Sequence, residues 1–261
     1  MNNLSFLKYV LCTALSLAAA ASVCAADFPS IVKNIKPSVV AIATFEKTRA
    51  PAVSFSGTGF VVGDGLTVIT NAHVVNGSFK ANTENGADAS LGILVAKGEG
   101  TEFRAATIVA IDEEHDLARL RVTGSPIPAL ELGDAGSVLE GQAIAFTGFP
   151  LAITLGFHRA THKGTIAAIT PIVKPGIDSR RLDPKVVAQL RRAPYSVFQL
   201  DATAYPGNSG SPVYDTETGR VIGVINLVFV KGLKETAITN PSGISYAIPV
   251  NFVQELLQKK M

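Results

Sequence analysis

The stretch YPGNSGSP, residues 205–212, sets one hydroxyl, Ser209, behind a Pro-Gly turn and ahead of a second glycine. Such a loop can bury almost nothing. It either turns the chain or brings backbone N–H groups and a serine oxygen close to a substrate. A serine hydroxyl is a weak nucleophile at neutral pH, so the second role needs a base to take its proton and a third group to orient that base. His73, in TNAHVV, lies at the end of an apolar strand where the chain turns to loop. Asp116 immediately precedes the alternating run LARLRV, a position from which a carboxylate can be partly buried against a neighbouring strand. The three occur in the order His, Asp, Ser. The remaining histidines, His115, His158 and His162, sit in the polar segments EEHDLARL and FHRATHKG and read as solvated or structural. Taken singly, each feature has a plainer reading, as a hydrogen-bonded surface histidine or a simple turn. Taken together, they describe acyl transfer by an activated serine.

The elements that must position these groups are strands. From Pro37 onward, SVVAIATF, GTGFVVG, LTVITNAHVV, ATIVAIDE, LARLRV, QAIAFTGF, GTIAAIT, SVFQLDA, SPVYD and RVIGVINLVFV are short runs rich in Val, Ile, Thr and Phe, separated by turns such as GDG, NGS and TETG. Many short strands without alternating helices predict an all-β fold of antiparallel sandwich or barrel type. Three helices are expected: over 28–36, over 183–192 behind an Asp183 cap and Pro184, and over 251–260 behind an Asn251 cap, with Phe252, Val253, Leu256 and Leu257 on one face.

Composition narrows the setting. With 47% hydrophobic and 17% charged residues, the 261-residue chain can build a sizeable core. A formal charge of +2, with the basic residues spread out, argues against nucleic acid as a partner. Residues 1–26 run from a polar start with Lys8 through an alanine-rich apolar stretch to SVCAAD, the pattern of a secretory signal peptide rather than a membrane span. Cys12 and Cys24, the only two cysteines, both lie in this leader, so the mature chain is expected to be exported yet free of disulfides, as suits a bacterial periplasm. No stable membrane span is expected in the mature form. No spacing of His, Cys and carboxylates suggests a metal, and no organic cofactor is indicated.

The segments KPSVVAI, GTGFVV, VITNAHVV, HDLARLRV, LGDAGSVLEGQAIAFTGFP, GTIAAI, LDATAYPGNSGSPV, GRVIGVIN and ISYAIPVNFV cover most of residues 37–253. In that order they resemble trypsin-like serine proteases of the HtrA/Deg type. The resemblance implies two perpendicular antiparallel β-barrels packed face to face, the first over about 37–135 and the second over about 136–250, with a C-terminal helix. It implies that the first barrel supplies His73 as general base and Asp116 as its orienter, and the second supplies Ser209 as nucleophile, in a cleft between them. The N–H groups of Gly207 and Ser209 would form the oxyanion hole, where converging donors stabilise a developing negative oxygen. Polypeptides are the implied substrates. Phe28 lies where HtrA-type trimers carry an aromatic contact, so a homotrimer is the assembly to consider.

Departures from relatives carry further expectations. Asn208 replaces the aspartate that receives a freed N-terminus in digestive enzymes, so activation by that ion pair is not expected. Thr203 stands where enzymes cutting after Lys or Arg carry an aspartate, and Ile244 aligns with a pocket wall, which together suggest cleavage after small or medium aliphatic residues. The stretch Val224, Ile225, Asn226 and Leu227 is expected to pair with extended substrate. The PDZ domains usual in the family are not expected. The connection 171–197 carries six cations against two aspartates and could dock a regulatory partner or lie as a solvated surface helix. Three other readings stand beside general proteolysis: a chaperone or binding protein with latent activity, a processing protease of narrow specificity, and a non-catalytic barrel scaffold.

Overall fold

The computed structural model describes residues 27–76, 89–97, 100–171, 195–227 and 243–259. The leader, the helix expected over 183–192 and nearly all of the basic connection lie outside them. Two closed antiparallel barrels of six strands each make up the molecule. The first comprises β1 (Val39–Glu46), β2 (Val53–Val62), β3 (Thr67–Thr70), β4 (Ala89–Lys97), β5 (Gly100–Asp112) and β6 (Leu117–Val122), in spatial order β1-β2-β3-β6-β5-β4. The second comprises β7 (Ala143–Gly148), β8 (Ala160–Pro171), β9 (Ser196–Asp201), β10 (Pro212–Asp215), β11 (Val221–Ile225) and β12 (Ile244–Pro249), in the order β10-β11-β12-β9-β8-β7. Closure removes the sheet edges that a split design would have to protect.

Three apolar clusters explain the strand sequences. Val40 and Ile42 of β1 fill the first barrel with Val61, Val68 and Leu120. Their neighbours Val39, Ala41 and Ala43 face outward, into a core shared with Phe60, Tyr214, Val224 and Ile248. Because β1 is buried on both faces, its sequence is a continuous apolar run rather than an alternation. Ile144, Phe146, Ile166, Leu200 and Val213 fill the second barrel. Between the barrels, short bridges at Val62–Leu130 and Leu132–Val221 lead the connecting chain from one to the other.

Both terminal helices pack on this shared core. The helix Phe28–Ile35 contributes Ile31 and Ile35, with Phe28 half-buried under Lys163 Nζ at 5.1 Å from its ring. The C-terminal helix Val250–Gln258 buries Val250, Val253 and Leu256, one face at helical spacing. It begins directly after Pro249, so Asn251 lies inside the helix and not at its cap as expected. At its other end, Arg119 of β6 donates to the Leu257 carbonyl at 2.7 Å and to the Lys259 carbonyl at 3.2 Å. Those last carbonyls have no partner within a helix, and a cation there also complements the helix dipole.

Leu256 is fully buried where this helix meets the shared core. Leu256→Ala should cost about 2–5 kcal/mol, read as a melting-temperature fall of roughly 5–15 °C for a chain of this size. A fall under about 2 °C in thermal denaturation would mean that the helix is not integral to the fold.

Candidate active site

His73 sits on a one-turn helix, Ala72–Val75, that follows β3, rather than at a strand end. Its position is fixed by the loop between β5 and β6, which carries Asp116 in a left-handed conformation at φ 53°. Aspartate tolerates that region better than most residues. The Asp116 carbonyl accepts from the Ala72 N–H at 3.1 Å and from Asn71 Nδ2 at 3.0 Å. Its carboxylate takes three more bonds: Oδ1 from the His73 N–H at 2.8 Å, and Oδ2 from His73 Nδ1 at 2.5 Å and Asn226 Nδ2 at 2.8 Å. With Nδ1 donating to the carboxylate, the lone pair of the neutral ring lies on Nε2.

Ser209 arrives from the second barrel on a tight turn. The Asn208 N–H donates to Tyr205 O at 2.9 Å, the Ser211 N–H to Asn208 O at 2.9 Å, and the Gly210 N–H to Ile225 O at 3.0 Å. Two positions in this turn accept only glycine. Gly207 has φ +101°, and a Cβ there would lie 2.2 Å from the Phe149 carbonyl; Gly210 has φ +86°, and a Cβ would lie 2.0 Å from the Thr58 carbonyl. Among the described residues, neither the Gly207 N–H nor the Ser209 N–H donates to a protein acceptor. Thr58 of the first barrel ties the turn in place. Its N–H donates to Ser209 O at 2.9 Å, its hydroxyl donates to Gly207 O at 2.7 Å, and that hydroxyl accepts from the Phe149 N–H at 3.1 Å. The bonds from Thr58 to the serine turn and from Asn226 to Asp116 thus cross the seam between the two barrels.

A family model described as a trypsin-like peptidase domain matches residues 57–224. The chain belongs to that family. The relatives it is similar to are of the HtrA type. A DegP-like periplasmic serine endoprotease of Halomonas elongata is 29% identical over 201 residues, 77% of this chain and 34% of the relative. The mitochondrial serine protease HTRA2 of Drosophila pseudoobscura pseudoobscura is 30% identical over 209 residues, 80% of this chain and 40% of the relative. The chain therefore spans about a third to two fifths of these relatives. A variant of the HtrA-type protease AlgW, solved with a tripeptide, superposes with a TM-score of 0.61 at 25% identity, covering 89% of this chain and 62% of that one. Deg5 shares the fold, with a TM-score of 0.60 at 23% identity over 87% of this chain and 90% of its own.

Most of the stretch expected to pair with substrate lies inside the second barrel. Val224 and Ile225 are interior residues of β11, fully buried and paired with β12 on one side and the β10 region on the other. Asn226 is also buried; its N–H donates to Tyr246 O and its amide to Asp116. Those backbone donors are committed to the barrel, which leaves Leu227, half-buried at the end of the described stretch, as the remaining candidate. The Asn226 contact was not foreseen, since nothing in GVIN marks a partner 110 residues away. Thr203 and Ile244 lie on two neighbouring strips. The Ser245 hydroxyl joins them, accepting from the Ala204 N–H at 2.9 Å and donating to Ala202 O at 2.8 Å. Thr203 is half-buried and Ile244 is 46% exposed.

A second polar cluster supports the Asp116 loop from behind. Asp112, buried at the end of β5, accepts from the Glu114 and His115 N–H groups, from His115 Nδ1 at 3.0 Å and from Lys259 Nζ at 3.2 Å. The His115 ring stacks on Phe252 at 3.8 Å and meets the Tyr195 ring edge-on at 4.6 Å. His115 is thus structural. So is His162, stacked on Phe146 at 4.9 Å, where burial pushes its pKa down. Burial and the nearby Asp116 charge push the Tyr195 phenol above its ordinary range.

Burial opposes ionisation of Asp112, yet the bonds from His115 and Lys259 prevail and hold its carboxyl below the ordinary aspartate range. A carboxyl whose pKa is lower folded than unfolded stabilises the fold above its unfolded value, about 4, and that stabilisation is lost as pH falls through the lower folded value. Wild type and Asp112→Asn should therefore differ in stability by about 1–3 kcal/mol at pH 7, with the gap shrinking below about pH 4. Urea unfolding at both pH values measures it, and a gap that widened on acidification would contradict the assignment.

Proposed function

We propose that this chain is a serine endopeptidase. Ser209 is the nucleophile, His73 the general base and later acid, and Asp116 the group that holds the His73 ring in the productive tautomer. The observation that carries this reading is the 2.5 Å bond from His73 Nδ1 to Asp116 Oδ2, beside a glycine-flanked serine turn tied to the same barrel seam. Ser209 Oγ attacks a peptide carbonyl while His73 Nε2 takes its proton. The tetrahedral oxyanion is stabilised by the Gly207 and Ser209 N–H groups. His73 then protonates the departing amine, and water, deprotonated by the same nitrogen, releases the acyl group. The substrates are extended segments of unfolded or damaged exported proteins. Export is inferred from the leader at 1–26 and from the DegP-like relative, which is named as periplasmic.

A latent form of the same enzyme is favoured by one feature. Among the described residues, no hydrogen bond joins Ser209 Oγ to His73. Labelling with a fluorophosphonate probe distinguishes the two. An assembled site gives labelling that is abolished by Ser209→Ala, which removes the oxygen the probe bonds, and that falls by roughly a hundred-fold or more in rate with His73→Ala, which removes the base. A folded wild type that resists the probe on its own would favour the latent form.

The specificity pocket carries no charge at Thr203 and an aliphatic side chain at Ile244, so the residue before the scissile bond should be Val, Ala or Ile. One methylene in such a pocket discriminates by roughly 10–200-fold. A peptide-library profile dominated by Lys, Arg or large aromatics would remove this assignment.

A further inference from the structure

A cleft of about 470 Å³, lined by residues that the proposed chemistry does not use, lies beside the N-terminal helical segment. Four cations line it: Lys33 and Lys36 of the N-terminal helical segment, Arg104 of β5, and Arg159 just before β8. They come from separate parts of the chain, yet no carboxylate shares the lining. Arg104 has one acidic neighbour, Glu102 Oε1 at 3.5 Å, and donates to the Ser125 carbonyl at 2.8 Å. Among the described residues, Lys33, Lys36 and Arg159 form no ion pair. The Arg159 guanidinium is half-buried, bonded through Nε to the Val39 carbonyl at 2.8 Å, and its burial disfavours its charge. Burying the Arg159 cation without an anionic partner is costly.

We propose that this cleft binds a small, multiply charged anion of the phosphate type. Its volume falls in the range of small-molecule sites. A fork-shaped guanidinium together with flexible ammonium groups suits phosphate oxygens. Pro126, Ile127 and Val95 line the remainder, giving a low-dielectric wall that strengthens each charge contact. An acidic peptide is the poorer occupant, because the adjoining strands β4 and β5 belong to a closed barrel and offer no free edge for backbone pairing.

Occupancy is coupled to the serine turn through Arg159. Its guanidinium lies 5.6 Å from the centre of the Phe149 ring. Phe149 in turn bears on the turn itself: its N–H bonds Thr58 Oγ1, and its carbonyl is the group that a side chain at Gly207 would strike. An anion that holds Arg159 in place holds Phe149 and the oxyanion turn with it. This coupling rests on the proposed serine chemistry; the binding site does not.

The test uses inorganic tripolyphosphate as the probe, with the full mature chain. Thermal unfolding at low ionic strength should show a rise of roughly 5 °C or more at saturation. The rise should disappear in the double variant Lys33→Glu/Lys36→Glu and persist in Lys47→Glu/Arg220→Glu, which carries the same change of charge on exposed residues outside the cleft. Equal loss in both pairs, or no rise in wild type, overturns the site. The rate of fluorophosphonate labelling should climb about five-fold or more on saturation in wild type and stay flat in the Lys33/Lys36 pair. Binding without that rate change overturns the coupling and leaves the site standing. Binding with no labelling under any condition overturns the serine chemistry instead.

Discussion

The structure depends on holding two separately closed barrels in one register, because each carries only part of the site. Thr58 does this at the point of contact. Through its N–H, hydroxyl and carbonyl it reaches Ser209, Gly207, Phe149 and Thr70, with Thr70 Oγ1 donating to Thr58 O at 2.7 Å. Thr58 is fully buried, so its bonds are made where water cannot replace them. A slip of one residue in β2 would turn the Thr58 side chain to the other face of its strand. The apolar seam of Val39, Phe60, Tyr214 and Ile248 supplies the adhesion between the barrels. Directional bonds from one threonine supply the alignment.

The acid of the site is positioned from two directions. In front, Asp116 is held by Asn71, the Ala72 N–H, His73 and Asn226, so both barrels contribute to its place. Behind, Asp112 and His115 link the same loop to Lys259 and Phe252 of the C-terminal segment. The helix that completes the shared core thereby also braces the loop that carries the carboxylate. Packing and site geometry are one problem in this protein, which is why Arg119 spends its guanidinium on the helix's last carbonyls and not on a surface carboxylate.

Much of this was legible in the sequence, and the exceptions have physical causes. The runs at β1, β6 and β9 announced themselves because β-branched and apolar residues are dense there and turn residues bound them. β4 and β12 did not. β4 carries Gly92 at its middle, where a Cβ would meet Phe103 at 2.3 Å, so packing demands a residue that strand propensity discourages. β12 ends in Pro249, which reads as a breaker until the helix after it is seen. The His73–Asp116 pairing agrees with what residue type and order suggest. The roles of Thr58 and Asn226 were not legible, since both act through partners over a hundred residues away. The burial of Val224 and Ile225 was not legible either, because GVIN looks alike whether it lies inside a barrel or at an edge.

The serine turn is held from outside and not from beneath. Asn208 is fully buried, yet neither atom of its amide finds a hydrogen-bond partner among the described residues, and the Ser211 hydroxyl beside it is in the same state. Unsatisfied groups of this kind cost about 1–3 kcal/mol each, so this pocket works against the turn where an ion pair would have secured it. The compensation comes from the neighbouring chain: Thr58 across the seam, the Leu151 N–H on Pro206 O at 2.8 Å, and the Phe149 carbonyl closing on Gly207. Leu151 itself occupies the left-handed region at φ 50°, a conformation that costs a leucine of order 1–3 kcal/mol. The turn therefore depends on its neighbours at 149–151 and on Thr58 more than on its own interior.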